Sequence, residues 1–128
     1  MESSKNKQSD KGKLIKKYCE HVSLEEVNND VLGHKQRGRG IYVLYNHNEV
    51  YYIGLSKFSL RARLKKHATE DRLKGKWNNF SFYKIGKTKY IKDIESLLLR
   101  VYRPSGNRVV GKLKKGANLA LMPTIVSK

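Results

Sequence analysis

Two short runs of β-forming residues, Ile41–Tyr45 (IYVLY) and Val50–Gly54 (VYYIG), constrain the fold more than any other part of the chain. Their side chains are β-branched, aromatic or leucine, with Gly40 before the first run and Gly54 closing the second. Between them Asn46-His47-Asn48 supplies residues that tolerate a left-handed backbone, so the segment predicts an antiparallel β-hairpin. Loop length then decides where the tyrosines point. A three-residue loop, Asn46–Asn48, pairs Tyr45 with Glu49 and Tyr42 with Tyr52, which sets Tyr42 and Tyr52 side by side on one face. A four-residue loop, Asn46–Glu49, sends them to opposite faces. Taken alone, the tyrosines are more simply ordinary strand residues.

At 128 residues the chain fits one domain with a single core. Its 28 Lys and Arg against 11 Asp and Glu give a formal charge of +17, an excess that predicts a polyanionic partner. Nucleic acid and an anionic membrane surface both qualify. A membrane anchor needs a long apolar run or a strongly amphipathic basic helix; the sequence offers neither, so no membrane partner is expected. The single cysteine, Cys19, cannot form an intramolecular disulfide, and a spectator thiol in a reducing cytoplasm is the expectation. The first residues, MESSKNKQSDKGK, lack the hydrophobic stretch of a secretory signal.

Residues 1–22 are expected to form a basic flexible arm, with Lys13–Glu20 a short strand or irregular segment. Ser23-Leu24-Glu25-Glu26 fits a capping box opening a short helix to about Leu32, and His34–Gly40 is a basic connection into the hairpin. Ser59 caps a second predicted helix, Leu60 to about Leu73, with Leu60, Leu64 and Ala68 as its buried stripe. Arg63 and His67, four apart, border that stripe, whereas Lys65 and Lys66 point outward, where a solvated face is the plainer account. Phe80–Ile85 alternates like a third strand, returning to the sheet after the crossover helix. A last helix runs from Ile91 to about Arg103, its apolar arc running through Leu97, Val101, Ile94, Leu98, Ile91, Tyr102 and Leu99, before Pro104 and the Ser105-Gly106-Asn107 turn. Glu95 falls inside that arc, a costly place for a carboxylate unless a cation, a metal or an Arg partner meets it.

In order along the chain stand Gly40-Ile41-Tyr42, Tyr52-Ile53-Gly54 with the two tyrosines ten positions apart, the Arg63-x-x-x-His67 pair, Glu95 and Asn107. This pattern over roughly Gly38–Gly111 resembles the GIY-YIG nucleases, most of all their small stand-alone members. The Arg lies about one residue later than the family spacing, and Arg63 is preferred to Arg61 because it alone precedes His67 by four. The resemblance implies an α/β (α+β) fold, a small three-stranded antiparallel sheet flanked by helices, in a domain spanning 23–111 with a basic tail at 112–128. It also implies a metal-dependent endonuclease that hydrolyses DNA phosphodiester bonds with one divalent cation, Mg²⁺ or Mn²⁺, on Glu95.

In that reading Arg63 neutralises the scissile phosphate and Tyr42 is the candidate base for the attacking water. A phenol with a reference pKa of about 10 needs nearby cations or a hydrogen bond to serve as one. Tyr52 and His67 orient or relay, and Asn107 holds the site together. One catalytic site requires Tyr42 and Tyr52 to share a sheet face with Arg63 and Glu95 close by. Arg37, Arg39, Lys57, Arg61, Lys65, Lys66, Arg108 and Lys112 are the expected nucleic-acid contacts, the partner being DNA, duplex or branched. The region that homing and repair members use for targeting is missing, which leaves room for a protein partner or self-association. A catalytically inactive nucleic-acid binder on the same fold is the alternative. A ribosomal-type RNA binder rests on charge alone and leaves Glu95 unexplained.

Overall fold

In the computed structural model, residues 12–28 and 38–111 are described. Four antiparallel strands form one sheet: β1 (Ile15–Ser23), β2 (Gly40–Asn46), β3 (Glu49–Ser56) and β4 (Asn79–Ile85), in the order β1-β4-β2-β3. Two α-helices accompany them, α1 (Leu60–Thr69) and α2 (Ile91–Tyr102), with short 3-10 turns at Leu24–Asn28 and Thr88–Tyr90. The hairpin and the third expected strand are present, and the sheet gains a fourth. The boundary placed between residues 22 and 23 therefore falls inside β1, and the expected arm loses its last eight residues to the sheet. That strand hides from pattern reading because it is a lysine-bearing edge, exposed along most of its length and bulged twice against β4. The 3-10 turn keeps only the start of the expected first helix, with Ser23 Oγ accepting from Glu25 N at 3.2 Å; the rest lies outside the described residues.

β2 lies between β4 and β3 and is buried on both faces from Gly40 to Tyr45, which explains its continuous apolar run. Tyr42 and Leu44 join Leu60, Leu64, Trp77, Phe80 and Phe82 beneath α1. Ile41, Val43 and Tyr45 join Ile53, Ile85, Ile91 and Leu99 beneath α2. The two helices thus cover opposite faces of the sheet. One border of the expected apolar arc of α2 stays in water: Leu97 and Val101 are 53% and 65% exposed, while Ile91 and Leu99 are buried. The arc is wider than the strip the sheet can cover.

The hairpin register departs from the three-residue loop. Asn46 pairs with Glu49 and Tyr45 with Val50, leaving a two-residue turn at His47-Asn48 with His47 at φ 59°. Continued regularly, that turn would set Tyr52 opposite Val43 and on the other face from Tyr42. A bulge at Tyr51 adds one residue to β3, so Leu44 pairs with Tyr52 and Tyr42 with Gly54. Tyr42 and Tyr52 return to one face as diagonal neighbours. Opposite Tyr42 only glycine fits, because a Cβ on Gly54 would overlap the Tyr42 ring.

α1 starts where Ser59, extended at φ −120° and ψ 108°, accepts a hydrogen bond from Ala62 N. It stops four residues before the expected Leu73. There Asp71 Oδ1 accepts from Leu73 N at 2.9 Å, a local turn that competes with the helical ladder. α2 ends at Tyr102, capped by Arg103 in the left-handed conformation at φ 46°; the following Pro104 disfavours the helical one.

Candidate active site

Tyr42 stands on the central strand, almost wholly buried, with its hydroxyl 2.7 Å from His67 Nε2. His67 reaches it from the last turn of α1, on the buried side next to Leu64. Tyr52 completes a triangle of rings, its centroid 6.1 Å from Tyr42 and 5.3 Å, edge-on, from His67. Behind the imidazole, His67 Nδ1 lies 2.6 Å from Asp71 Oδ2, and the His67 carbonyl accepts from Trp77 Nε1 at 3.3 Å.

Charge states follow from these contacts. Burial raises the Asp71 carboxyl, but the Leu73 amide and His67 outweigh it and hold the group below its ordinary value. Asp71 is therefore ionised at neutral pH and accepts from His67 Nδ1–H. Burial pushes the His67 pKa below its usual value, against the pull of Asp71, so the ring is neutral and its Nε2 is an acceptor. The Tyr42 hydroxyl accordingly donates to Nε2. Burial, then the neighbouring Tyr52, drive the Tyr42 pKa upward, and Arg63 offsets only part of this. The expectation of a lowered phenol is thus reversed: the low-dielectric site favours the neutral hydroxyl.

An open cleft of about 710 Å³ runs along the β3 edge, with Tyr42, Tyr52, Gly54, Arg63, Glu95 and Asn107 in its lining. These residues do not converge from one face. Tyr42 and Arg63 come from the α1 side and Glu95 from α2 on the other, and they meet around the edge strand, where Gly54 has no side chain to intervene. Asn107 braces this edge: its Oδ1 accepts from Ile53 N at 2.9 Å and its Nδ2 donates to Ile53 O at 2.8 Å. Gly106 N adds a bond to Tyr51 O at 2.8 Å, tying the turn after α2 to the bulge.

Glu95 is half-buried, and burial raises its pKa, with Lys92 one turn earlier acting the other way. Among the described residues no ion pair to Glu95 is seen, so no Arg among them accounts for its position. Lys57, Arg63, Arg72, Lys92 and Arg108 give the cleft a cationic lining. Of the expected nucleic-acid contacts, Lys57 and Arg108 thus reach it, whereas Arg39, Arg61, Lys65 and Lys66 lie outside its lining. Arg37 and Lys112 fall outside the described residues. His67 sits behind Tyr42 rather than on the cleft wall.

Asp71, Arg72 and Lys92 escaped sequence reading. The signal for Asp71 was its spacing of four from His67, hidden by the expectation that the helix continues to Leu73. Lys92 stands three residues before Glu95, a helical neighbour by spacing. Among the described residues no group of three or more His, Cys, Asp or Glu is placed to hold a metal ion, and no helix is long and apolar enough to cross a membrane.

No protein-family model and no curated protein sequence matches the chain. Solved structures do. The magnesium-bound crystal structure of the GIY-YIG N-terminal endonuclease domain of UvrC from Thermotoga maritima matches with a TM-score of 0.54 at 22% identity. The match covers 65% of this chain and 97% of that domain. A Tyr-to-Phe point mutant of the same domain, bound to its catalytic divalent cation, gives 0.54 at 20% identity, with 65% and 97% covered. An Asn-to-Ala mutant, also cation-bound, gives 0.52 at 20%, with 66% and 98% covered. The chain has the GIY-YIG nuclease fold.

Proposed function

We propose that the chain is a divalent-metal-dependent endonuclease that hydrolyses phosphodiester bonds in DNA. The observation that carries this reading is the meeting of Tyr42, Arg63 and Glu95, from three separate elements, in one cationic cleft. The formal charge of +17 supports a polyanionic substrate, and the UvrC domains of the same fold, crystallised with a catalytic divalent cation, support the chemistry.

Glu95 suits a single Mg²⁺ or Mn²⁺. It is a half-buried carboxylate on the cleft, disfavoured as a charge by burial and without an ion pair among the described residues. Mg²⁺ keeps most of its waters and asks for only one or two carboxylates, so Glu95 could serve as its protein ligand. When bound, the cation would act as a Lewis acid on a phosphate oxygen.

The remaining work falls to the chain itself. Arg63, Lys57 and Arg108 would draw the backbone into the cleft, with Arg63 facing the charge that grows on the scissile phosphate. The attacking water would give its proton to the Tyr42 oxygen as Tyr42 passes its own to His67 Nε2. A raised phenol pKa then does no harm, because no free phenolate has to form. Asp71 would fix the acceptor tautomer and stabilise the imidazolium, as a carboxylate does for an active-site histidine. The P–O bond to the leaving oxygen breaks as the new one forms, and that oxygen takes a proton from solvent.

The test is nicking of supercoiled plasmid by the purified chain with Mg²⁺, with Mn²⁺ and with EDTA. Cleavage with either metal and none with EDTA is expected; binding without cleavage under all three would leave an inactive DNA-binding protein.

A further inference from the structure

Between β3 and α1 the chain passes through Lys57, Phe58 and Ser59. Lys57 lines the cleft, while Phe58, its neighbour, is 81% exposed. The loop is fixed on both sides. Phe58 O accepts from Gly38 N at 3.1 Å, and Ser59 Oγ holds Ala62 N as the cap of α1. The ring is thus held out in water by an anchored backbone.

A single exposed apolar side chain is ordinary on a protein surface. What sets Phe58 apart is its position beside a cleft carrying five cations, whose lining also includes Val109, itself 68% exposed. Cations that track phosphates, with an aromatic face beside them, form the arrangement that binds single strands, since every base has a π-face to stack. A fully paired duplex keeps those faces stacked inside and offers the ring only sugar and phosphate.

We propose that Phe58 is a stacking platform for an unpaired nucleobase next to the scissile phosphate, so that DNA with a single-stranded or forked segment is the preferred substrate class. This rests on the reading of the cleft as a DNA-cleaving site and names the DNA it takes.

The experiment measures binding in EDTA, where no cleavage occurs. The probes are a forked DNA with 2-aminopurine as its first unpaired base and a fully paired duplex of the same length, at one salt concentration. The wild type is expected to bind the fork more tightly and to quench the 2-aminopurine. Phe58→Ala should weaken fork binding about tenfold or more, abolish the quench and leave duplex binding within about twofold, while Phe58→Trp should restore both. Equal losses on fork and duplex, no loss on either, or a wild type without fork preference would overturn the proposal. Because the Phe58 side chain is largely exposed, its variants should melt like the wild type. The nuclease reading fails separately: a chain that binds forks through Phe58 yet nicks no DNA with Mg²⁺ supports the stacking platform and removes the enzyme.

Discussion

The Tyr42 hydroxyl donates to His67 Nε2 across 2.7 Å, while Asp71 holds the opposite ring nitrogen at 2.6 Å. This pairing makes a buried tyrosine useful, because its proton has a place to go. His67→Gln keeps a polar side chain but cannot take up the proton. Cleavage should fall roughly 10²- to 10⁴-fold, with DNA affinity in EDTA unchanged. Single-turnover nicking of supercoiled plasmid checks this, and wild-type turnover would exclude His67 as the acceptor.

The same contacts set a pH dependence. His67 must be neutral to accept, and burial holds its pKa below the ordinary 6.5. Activity should therefore fall on the acid side only below that pH. Asp71 works against the burial shift, so Asp71→Asn should move the acid limb further down in pH while lowering the plateau rate, through loss of the acceptor tautomer. A limb that moves upward would show that Asp71 is not coupled to His67. For folding, His67 should contribute stability at neutral pH that is lost as pH falls below 6.5, since the unfolded state binds the proton more readily.

Gly54 faces the Tyr42 ring so closely that a Cβ there would overlap it. Gly54→Ala should destabilise the fold by about 1–3 kcal/mol, the usual cost of overpacking. It should also turn the Tyr42 hydroxyl away from His67 and depress cleavage. Urea unfolding and nicking on one preparation test both effects; an alanine variant as stable and active as wild type would contradict the close approach.

How much of this was legible in the sequence depended on how each residue is packed. β2 announces itself because both its faces are buried and nothing polar interrupts it. β1 does not, being an exposed edge strand whose lysines and bulges erase the alternation. The shared face of Tyr42 and Tyr52 rests on what the family resemblance implies, because loop length alone leaves both faces open, and the route to it is not legible. A shorter turn is corrected by a bulge at Tyr51, and no residue there signals one. Glu95 stood out as a carboxylate among apolar neighbours, and it is half-buried. The helical wheel could not tell which part of the arc the sheet covers. Asp71 was lost because a pattern of apolar spacing does not register a side chain that ends a helix by bonding its own backbone.

Burial raises the Glu95 pKa, so its ionisation works against the metal-free fold. That cost is absent below the unfolded value of 4.5 and grows as pH rises through the folded one. Without metal, Glu95→Gln should melt at or above the wild-type temperature at pH 7, and the difference should shrink toward pH 4. A variant that melts well below wild type at pH 7 would reveal a structural ion pair instead.

The central claim is that Glu95 holds the cation for hydrolysis in a cleft built by Tyr42, Arg63 and the Asn107 brace. The direct measurement is Mg²⁺-dependent nicking of supercoiled plasmid by wild type and Glu95→Gln, alongside DNA binding in EDTA and thermal melting of both. The prediction is a folded variant that binds DNA as well as wild type or better, having lost a charge that repels phosphate, and that scarcely cuts at any Mg²⁺ concentration. A folded Glu95→Gln protein that nicks at the wild-type rate would contradict the account.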